Sequence, residues 1–429
     1  MDMQIHVVKR GESLYGIAQT YGIPYTEIAA VNEIPDPSQL VTGQALVIPV
    51  EGSFHIVQPG QSLYTIANLY GITYQQLAEM NHISPNALLQ IGQRLTIPTQ
   101  PKRPVNSFLY VEPRTPVAQS MVDEVRKRVN DLTFLGMFSY EVRRDGSVKP
   151  PSTDDILQIA KNAGVTNALV VSNLEDFAFN ADLAHALFID EAAQNQLFGN
   201  LIQIANDEGY GEIHFDFELL YPEDRELYNS FLRKARDRFH QAGFRISAAV
   251  APKSSDVKTG IYGAHDYKTL GEILDYVMLM TYEWGYTYSD PQAVSPIGPV
   301  RSVLDYAASV IPHEKIFLGQ NLYGYDWVAP FPPQGGPPAK AVSPQQAIQI
   351  ALERNAEIQY DQVSQAPFFR YYDQTGILHE VWFEDARSIQ AKFDLMKELG
   401  IGGIMYWKLG LAFPQNWALL RDNFTIRKL

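Results

Sequence analysis

Residues 211–220 read GEIHFDFELL, a strand-like run with polar side chains at alternate positions. Because successive side chains of a β-strand point to opposite faces, His214, Asp216 and Glu218 share one face and the two phenylalanines share the other. The phenylalanines suit a layer that packs against helices. The polar face must point away from that layer. Burying two unpaired carboxylates is costly, so we expect the two acids to share a proton or to find partners.

Seven further strand-like runs accompany this one between residues 107 and 429, and helical stretches separate them. The eight runs are 107–113, 132–142, 167–174, 211–220, 245–252, 275–284, 315–327 and 402–410. The clearest helical stretches are 115–129, 189–206, 222–242 and 385–399. Eight β-α repeats in about 320 residues predict an α/β fold, the (β/α)8 TIM barrel. The long gap at 328–401 is predicted to hold an inserted helix and a small β-hairpin around 367–383.

An open, doubly wound sheet is the alternative architecture for alternating strands and helices. No early strand of this sequence is followed by a glycine-rich phosphate loop, which counts against that alternative. In a TIM barrel reactive side chains lie at the C-terminal ends of the strands, so Asp216 and Glu218 are expected in the barrel mouth. Like charges at close range raise the pKa of one partner, which supplies the protonated acid of general-acid catalysis. A structural acid pair in an ion-pair network is the alternative.

The first hundred residues contain an internal repeat: residues 5–49 and residues 54–98 align without a gap. The most similar stretches read VKRGESLYGIAQTYGI (8–23) and VQPGQSLYTIANLYGI (57–72). Each copy is predicted to fold as a β-α-α-β unit. In the first copy the expected features are a strand at His6–Val8, a helix capped by Ser13 and ended by Gly22, a second helix at Tyr25–Val31 and a strand at Ala45–Ile48.

The composition excludes several classes of function. The chain has 429 residues, no cysteine and a formal net charge of −14. The lack of cysteine excludes disulfides, thiolate metal sites and cysteine nucleophiles. An acidic chain without a basic stripe is a poor candidate for binding nucleic acid or anionic lipid. No run approaches the ~18 apolar residues of a membrane span, and we find no signal-peptide pattern at the N-terminus. The nine histidines show no zinc-ligand spacing, so we expect no metal and no cofactor.

Both repeat copies resemble the LysM family of peptidoglycan- and chitin-binding modules. The resemblance rests on the V-x-x-G-[EQ]-S-L-Y-x-I-A run, on an asparagine at 32 and 81 and on the L-x-I-P ending. It implies a sugar groove between the first strand–helix loop and the second helix–strand loop. The groove residues that it implies are Gly11, Glu12, Ser13, Leu14, Asn32, Ile34 and Pro35 in the first copy, and Gly60, Gln61, Ser62, Leu63, Asn81, Ile83 and Ser84 in the second. For any single residue the alternative is that it only builds the turn. His6 and His55 are expected to be structural.

The fourth strand resembles the signature of glycoside hydrolase family 18, D-x-x-D-x-D-x-E. Asp216 and Glu218 match its last two acidic positions, while Gly211 and His214 stand at the first two. The run MTYE (280–283) resembles the sixth-strand motif of the family, M-x-Y-D, with Glu283 in place of aspartate. The run GIMYWKLG (403–410) resembles the eighth-strand motif and includes Trp407. The run KIFLGQNLYGYDW (315–327) resembles the spore-germination branch, and LysM copies before such a barrel are typical of spore cortex-lytic enzymes.

This resemblance implies a substrate-assisted, retaining glycosidase without a protein nucleophile. Glu218 would protonate the leaving oxygen, and Asp216 would orient the 2-acetamido group of the substrate. Tyr282 would hold the acetamido carbonyl, and Trp407 would form the floor of a sugar subsite. The implied function is an N-acetylglucosaminidase that hydrolyses peptidoglycan of the spore cortex. A chitinase or another endo-acting N-acetylglucosaminidase is one alternative, and a non-catalytic lectin or coat protein is another.

Further residues near predicted strand ends are expected to line the cleft, with core packing as the alternative. The substrate-binding candidates are Met280, Tyr140, Asn321, Tyr323 and Glu283, and Tyr110, Ser139, Asn173 and Trp284 are also candidates. An arginine is an alternative partner for Glu283. The expected domains are residues 1–50 and 51–99 for the two modules, 100–106 for a linker and 107–429 for the barrel. We expect a monomer that binds glycan and is located in the bacterial spore, made in the mother-cell cytoplasm.

Overall fold

The two repeat copies form the predicted β-α-α-β modules in a computed structural model that describes residues 2–50, 54–97 and 102–429. The first module consists of Asp2–Val7, Leu14–Tyr21, Tyr25–Val31 and Ala45–Val50. The second consists of Phe54–Ile56, Leu63–Leu69, Tyr74–Met80 and Arg94–Thr96. In each module the two strands pair antiparallel. Ser13 caps its helix through the Gly16 N–H, and Gly22 ends that helix in the left-handed region, as the sequence predicted.

Eight parallel strands close into a barrel, which confirms the predicted fold class. The strands are Arg103–Val111, Phe134–Val142, Thr166–Ser172, Glu212–Asp216, Arg245–Val250, Tyr276–Leu279, Ile316–Asn321 and Gly403–Trp407. Each strand pairs with the next, and the eighth pairs with the first. The first strand begins at Arg103, so residues 103–106 of the predicted linker belong to the barrel, while residues 100 and 101 lie outside the described residues.

Helices surround the barrel and bury its outer face. They are Gln119–Arg128, Ile156–Asn162, Ala181–Ile189, Glu191–Glu208, Arg225–Gln241, Tyr267–Ile273, Ile297–Val310, Ala386–Leu399 and Pro414–Asn423. Phe215 of the fourth strand packs in this layer against Phe231 and Phe239, and Phe217, just beyond the strand, packs against Phe231. Their burial fixes the opposite, polar face of that strand toward the barrel axis. Within the described residues, no helix is both long enough and apolar enough to span a membrane.

The insertion before the eighth strand forms a small second layer. Its sheet contains Gly324–Val328, Lys340–Val342, Gln359–Asp361, Ala366–Tyr372 and Leu378–Trp382, and its helix is Pro344–Glu353. The helix and the hairpin were predicted. The run 315–327 was predicted as one strand but is two, because the chain turns after Asn321, whose amide donates to the Tyr323 carbonyl at 2.6 Å. Residues 324–327 therefore belong to the insertion sheet.

The first module packs against the barrel and its insertion, whereas the second is attached to the first. Ala45 and Val47 join the main hydrophobic core, and the Ile358 N–H of the insertion donates to the Thr42 carbonyl at 2.9 Å. The side chain of Gln345 also donates to the Asn32 carbonyl at 2.8 Å. The second module is bound through Gln4, whose amide donates to the Phe54 carbonyl at 2.9 Å. Identical module folds thus have different surroundings.

Gly43 and Gly92 occupy the same turn of the two modules, with φ of 84° and 83°, and provide a matched test of this attachment. A Cβ at Gly43 would collide with the Ile358 carbonyl, whereas one at Gly92 meets nothing within 4 Å. We expect Gly92→Ala to lower the free energy of unfolding by about 1–2 kcal/mol through backbone strain alone. Gly43→Ala should lower it by about 2 kcal/mol more, because the overpacked contact must shift. Equal losses in chemical unfolding would contradict the attachment.

Candidate active site

A cavity of about 580 Å³ opens at the C-terminal ends of the barrel strands. Its wall combines carboxyl groups with aromatic rings and a few aliphatic side chains. The main lining residues are Tyr110, Phe138, Phe179, Asp216, Glu218, Ile261, Tyr262, Met280, Tyr282, Glu283, Trp284, Tyr323, Tyr325, Trp407, Lys408 and Leu411. Such a wall suits a ligand with both polar groups and apolar ring faces.

The fourth strand delivers both predicted acids to this cavity. Asp216 is its last residue and is buried, while Glu218 lies two residues beyond the strand and is partly exposed. Asn173, which follows the third strand, forms two hydrogen bonds with the backbone of Glu218. Its side-chain oxygen accepts from the Glu218 N–H at 3.0 Å, and its side-chain nitrogen donates to the Glu218 carbonyl at 3.0 Å. The peptide unit that carries the acid is therefore fixed by a neighbouring strand.

Burial raises the pKa of both acids, and for Glu218 this is the direction that general-acid catalysis needs. Burial raises the pKa of Asp216 to about 7. Burial, followed by the negative charges of Asp216 and Glu283, raises the pKa of Glu218 well above its ordinary value. Glu218 can therefore carry a proton near neutral pH. Oδ1 of Asp216 is buried without a hydrogen-bond partner among the described residues, so it is available to a donor on a bound substrate.

His214 stands below Asp216 and both of its ring nitrogens are engaged. Nδ1 lies 2.7 Å from the Ser247 hydroxyl, and Nε2 lies 2.6 Å from the Tyr110 hydroxyl. Burial lowers the pKa of His214 to about 3, so the ring is neutral. Ser247 also donates to Glu212, and burial raises the pKa of Glu212 to about 8. This buried network supports the floor of the cavity. His214 therefore adds no charge beneath Asp216.

Glu283 and two tyrosines form the opposite wall. Glu283 accepts hydrogen bonds from Tyr323 and from Tyr325, the latter at 3.0 Å. Burial raises the pKa of Glu283, and the two hydroxyls act against that rise. Among the described residues these tyrosines take the place of the arginine considered as an alternative partner. Tyr282 is half-buried and lines the same cavity, and its hydroxyl lies 3.9 Å from Met405 Sδ.

Trp407 ends the eighth strand and forms an apolar floor. The Phe138 and Tyr110 rings meet it edge-on, with ring centroids 4.9 and 5.3 Å away. Lys408 forms an ion pair with Glu112 beside the ring. The edge contacts hold the indole plane in one orientation, so that its face can receive a sugar ring.

Seven of the nine predicted barrel-site residues line the cavity: Asp216, Glu218, Met280, Tyr282, Glu283, Tyr323 and Trp407. The predicted positions of Tyr140 and Asn321 were wrong. The second strand shifts register between Met137 and Tyr140, which turns Tyr140 outward, where its hydroxyl donates to Glu208 at 2.8 Å. Asn321 is fully buried, and its amide bonds within the turn that ends the seventh strand.

Sequence analysis missed several lining residues. Tyr325 shares a face with Tyr323, and the alternation in Y-G-Y was a usable signal for it. Phe138 faces the cavity because of the same register shift that displaced Tyr140. Phe179 and Tyr262 lie outside the barrel strands, where no periodic pattern identifies them. Of the other candidates, Tyr110 and Trp284 line the cavity, and Asn173 supports it.

In the LysM-like modules the structure separates exposed loop residues from scaffold residues. Gly11, Ser13, Gly60 and Ser62 are exposed, and Glu12, Ile34, Gln61 and Ile83 are partly exposed. Leu14, Leu63 and Asn32 are buried, so their side chains do not form the surface predicted for them. The Asn32 side chain binds both the N–H and the carbonyl of Val47, at 2.8 and 2.7 Å.

Asn81 makes the same two bonds with Thr96, at 2.6 and 2.7 Å, so this asparagine pins the second helix to the last strand in both modules. His6 and His55 are structural, as predicted. His6 lies 2.9 Å from Glu12 and His55 lies 2.7 Å from Gln61. Each therefore fixes the loop that precedes the first helix of its module. Within the described ranges, no three His, Asp or Glu side chains are grouped so that they could hold a metal ion.

Comparisons with known proteins agree with this geometry. The model of glycosyl hydrolases family 18 matches residues 169–412, and the LysM domain model matches residues 6–49 and 55–98. The cortical fragment-lytic enzyme of Bacillus subtilis (strain 168) is 57% identical over 428 residues, 99% of both chains. That of Bacillus cereus is 51% identical over 99% of both. The crystal structure of the Bacillus cereus spore cortex-lytic enzyme SleL has a TM-score of 0.94 and 47% identity, covering 100% of this chain and 99% of that one.

Asn173→Ala tests whether the two hydrogen bonds between the Asn173 side chain and the Glu218 backbone contribute to activity. The variant leaves the Glu218 N–H and carbonyl without their partner, so the acid should lose its fixed position. We expect kcat to fall by about 10- to 100-fold, because small displacements of a reacting group are costly. KM should change little. Asn206→Ala is the control, since that exposed side chain bonds only to the Ile202 carbonyl of its own helix. An unchanged kcat in Asn173→Ala would show that the two hydrogen bonds from Asn173 to the Glu218 backbone do not contribute to catalysis.

Proposed function

This chain belongs to family 18 of the glycosyl hydrolases and carries two LysM domains, and from that premise we propose that it is an N-acetylglucosaminidase acting on peptidoglycan of the spore cortex or on fragments of it. Relatives that match it over almost the whole length are named cortical fragment-lytic enzymes, which supports the substrate. The observation that carries the chemistry is the pair of Asp216, which is buried, and Glu218, which is partly exposed, in a cavity floored by Trp407.

The proposed reaction uses the substrate's own amide as nucleophile. The 2-acetamido carbonyl oxygen attacks the anomeric carbon, while Glu218 gives its proton to the departing glycosidic oxygen. The unpartnered Oδ1 of Asp216 accepts the acetamide N–H and offsets the positive charge that develops on the amide. Tyr282 donates its hydroxyl to the acetamido carbonyl and holds it in line. Glu218 then removes a proton from the water that opens the cyclic intermediate, which retains the anomeric configuration.

This chemistry restricts the substrate. The sugar that is cleaved must carry a free 2-acetamido group, which N-acetylglucosamine offers. A muramic lactam has its nitrogen bound in a ring and cannot assist. The bond that we expect to break is therefore the one on the reducing side of N-acetylglucosamine.

The LysM modules serve as glycan anchors in this proposal. Binding the polymer through even a weak module raises the local concentration of bonds near the barrel cavity. The exposed loop residues Gly11, Ser13, Gly60 and Ser62 form the surface available for that contact. We propose that the enzyme acts as a monomer in the bacterial spore, where its substrate is located.

Glu218→Gln tests the proposal directly. Glutamine has the same shape but cannot donate the proton, so release of N-acetylglucosamine ends from cortex fragments should fall by roughly 10²–10⁴-fold. Mass spectrometry of the products measures the loss and identifies the bond. Glu314→Gln is the control, because it is exposed in the turn before the seventh strand, at the opposite end of the barrel. Equal release by Glu218→Gln and the wild type would defeat the enzymatic assignment. Cleavage of chitin oligomers in preference to cortex fragments would favour a chitinase.

The pH dependence of kcat tests the coupling between the two acids. Glu218 must be protonated to act as the acid, so activity should be lost as the pH rises through its pKa. Asp216→Asn removes a negative charge that raises the pKa of Glu218. We therefore expect the alkaline limb to move to lower pH, together with a lower maximum. Glu283→Gln should move the limb in the same direction by less. An alkaline limb that stays in place in both variants would show that another group controls it.

A further inference from the structure

A hairpin beside the cavity carries a phenylalanine, Phe177, whose side chain is fully exposed and does not contribute to the core. Leu174–Glu175 pairs with Ala178–Phe179, and the two turn residues, Asp176 and Phe177, have φ of 50° and 67°. Two-residue hairpin turns with positive φ at both positions prefer glycine at the second. Phe177 stands there instead, and its side chain is 102% exposed. Neither packing nor turn geometry accounts for this residue.

Leu219, the residue next to Glu218, shares this combination of features. Its φ is 54° and its side chain is 48% exposed. Nine non-glycine residues of the described chain have positive φ, and Phe177 and Leu219 are the only two with large apolar side chains. The left-handed region is a strained conformation for such residues, and strained residues concentrate at functional sites. Leu219 directly follows the catalytic acid, and Phe177 lies in the hairpin whose Phe179 lines the same cavity.

Asn173 links the base of the hairpin to the peptide unit of Glu218. Asn173, which brackets Glu218, also donates to the Asn180 carbonyl at 3.0 Å, and its own carbonyl accepts from the Asn180 N–H at 2.9 Å. The base of the hairpin and the loop of the acid are thereby connected. Phe179 lines the cavity, and Phe177 lies two residues farther along the hairpin, roughly 7 Å at the rise of an extended chain.

We propose that Phe177 and Leu219 form an apolar rim that binds a sugar ring of the substrate outside the cavity, as an additional subsite for longer glycan strands. This inference rests on the proposed function. The apolar C–H face of a sugar stacks on an aromatic ring, and a rim continuous with the cleft meets the same strand that enters it. A protein partner is a poorer occupant, since a stable protein interface buries about 800 Å² on each side, far more than two side chains supply.

The test compares Phe177→Ala with the wild type on cortex fragments of increasing length. We expect kcat/KM to fall by about 3- to 10-fold on long strands, the range of one lost stacking contact, and to stay unchanged on the shortest cleaved fragment. Phe177→Tyr should restore the long-strand activity. Phe177→Gly should lose the same activity without losing thermal stability, since glycine relieves the turn. Leu429→Ala is the control, an exposed apolar residue just beyond the C-terminal strand that pairs with the start of the first barrel strand.

A second readout separates this subsite from the reaction itself. In a Glu218→Gln background the Kd of long and short fragments can be measured without cleavage, and the LysM modules contribute equally with and without Phe177→Ala. A smaller preference for long fragments with Phe177→Ala than without it supports the rim. An unchanged preference, or an equal loss of affinity for short and long fragments, overturns it. Absence of hydrolysis by the wild type would overturn the proposed function, while the Kd values still decide the rim.

Discussion

The removal of two carboxyl groups from water at the end of one strand is the constraint on which the site depends. Asp216 and Glu218 cannot both ionise in the same cavity at ordinary cost, so burial raises the pKa of both. That cost is tolerated because the strand cannot rotate: Phe215 and Phe217 are locked between the barrel and the helices. The residues around the two acids also limit the net charge of the cavity. Glu283 is held by two tyrosine hydroxyls, and a neutral His214 lies underneath.

The sequence predicted those features that follow from alternation within a strand. The faces of the fourth strand and the closure of eight strands follow from that pattern and its repetition, whereas the placing of Trp407 rests on the resemblance of residues 403–410 to the eighth-strand motif of family 18. Tyr140 was misplaced because a register shift in the second strand leaves no mark on the pattern. Asn321 was misplaced because the run 315–327 is interrupted by a turn, and the seventh barrel strand already ends at Asn321. No pattern in the sequence indicates that Phe177 lies in a tight turn, because such turns prefer glycine at this position and not an aromatic residue.

The two LysM domains illustrate a different limit of sequence patterns. Their strands, helices and caps are nearly interchangeable, and Asn32 and Asn81 make the same pair of backbone bonds. Yet only the first module contributes Ala45 and Val47 to the main core. Internal packing fixes the module fold, whereas docking depends on the residues of another domain, which no repeat pattern contains. The first module therefore has a set position relative to the cleft, and the second is bonded to the first through Gln4 and Gln58.

The histidine at position 214 explains why Asp216 is free to serve the substrate in the mechanism that we propose. Both ring nitrogens of His214 are committed, one to Ser247 and one to Tyr110, so neither can donate to Asp216. An acid at this position would add a third ionisable carboxyl group beside Asp216, and a free donor would occupy Oδ1. A neutral ring that is bonded elsewhere does neither. Oδ1 of Asp216 is left for the acetamide N–H, and its charge remains directed at Glu218, whose proton the reaction requires.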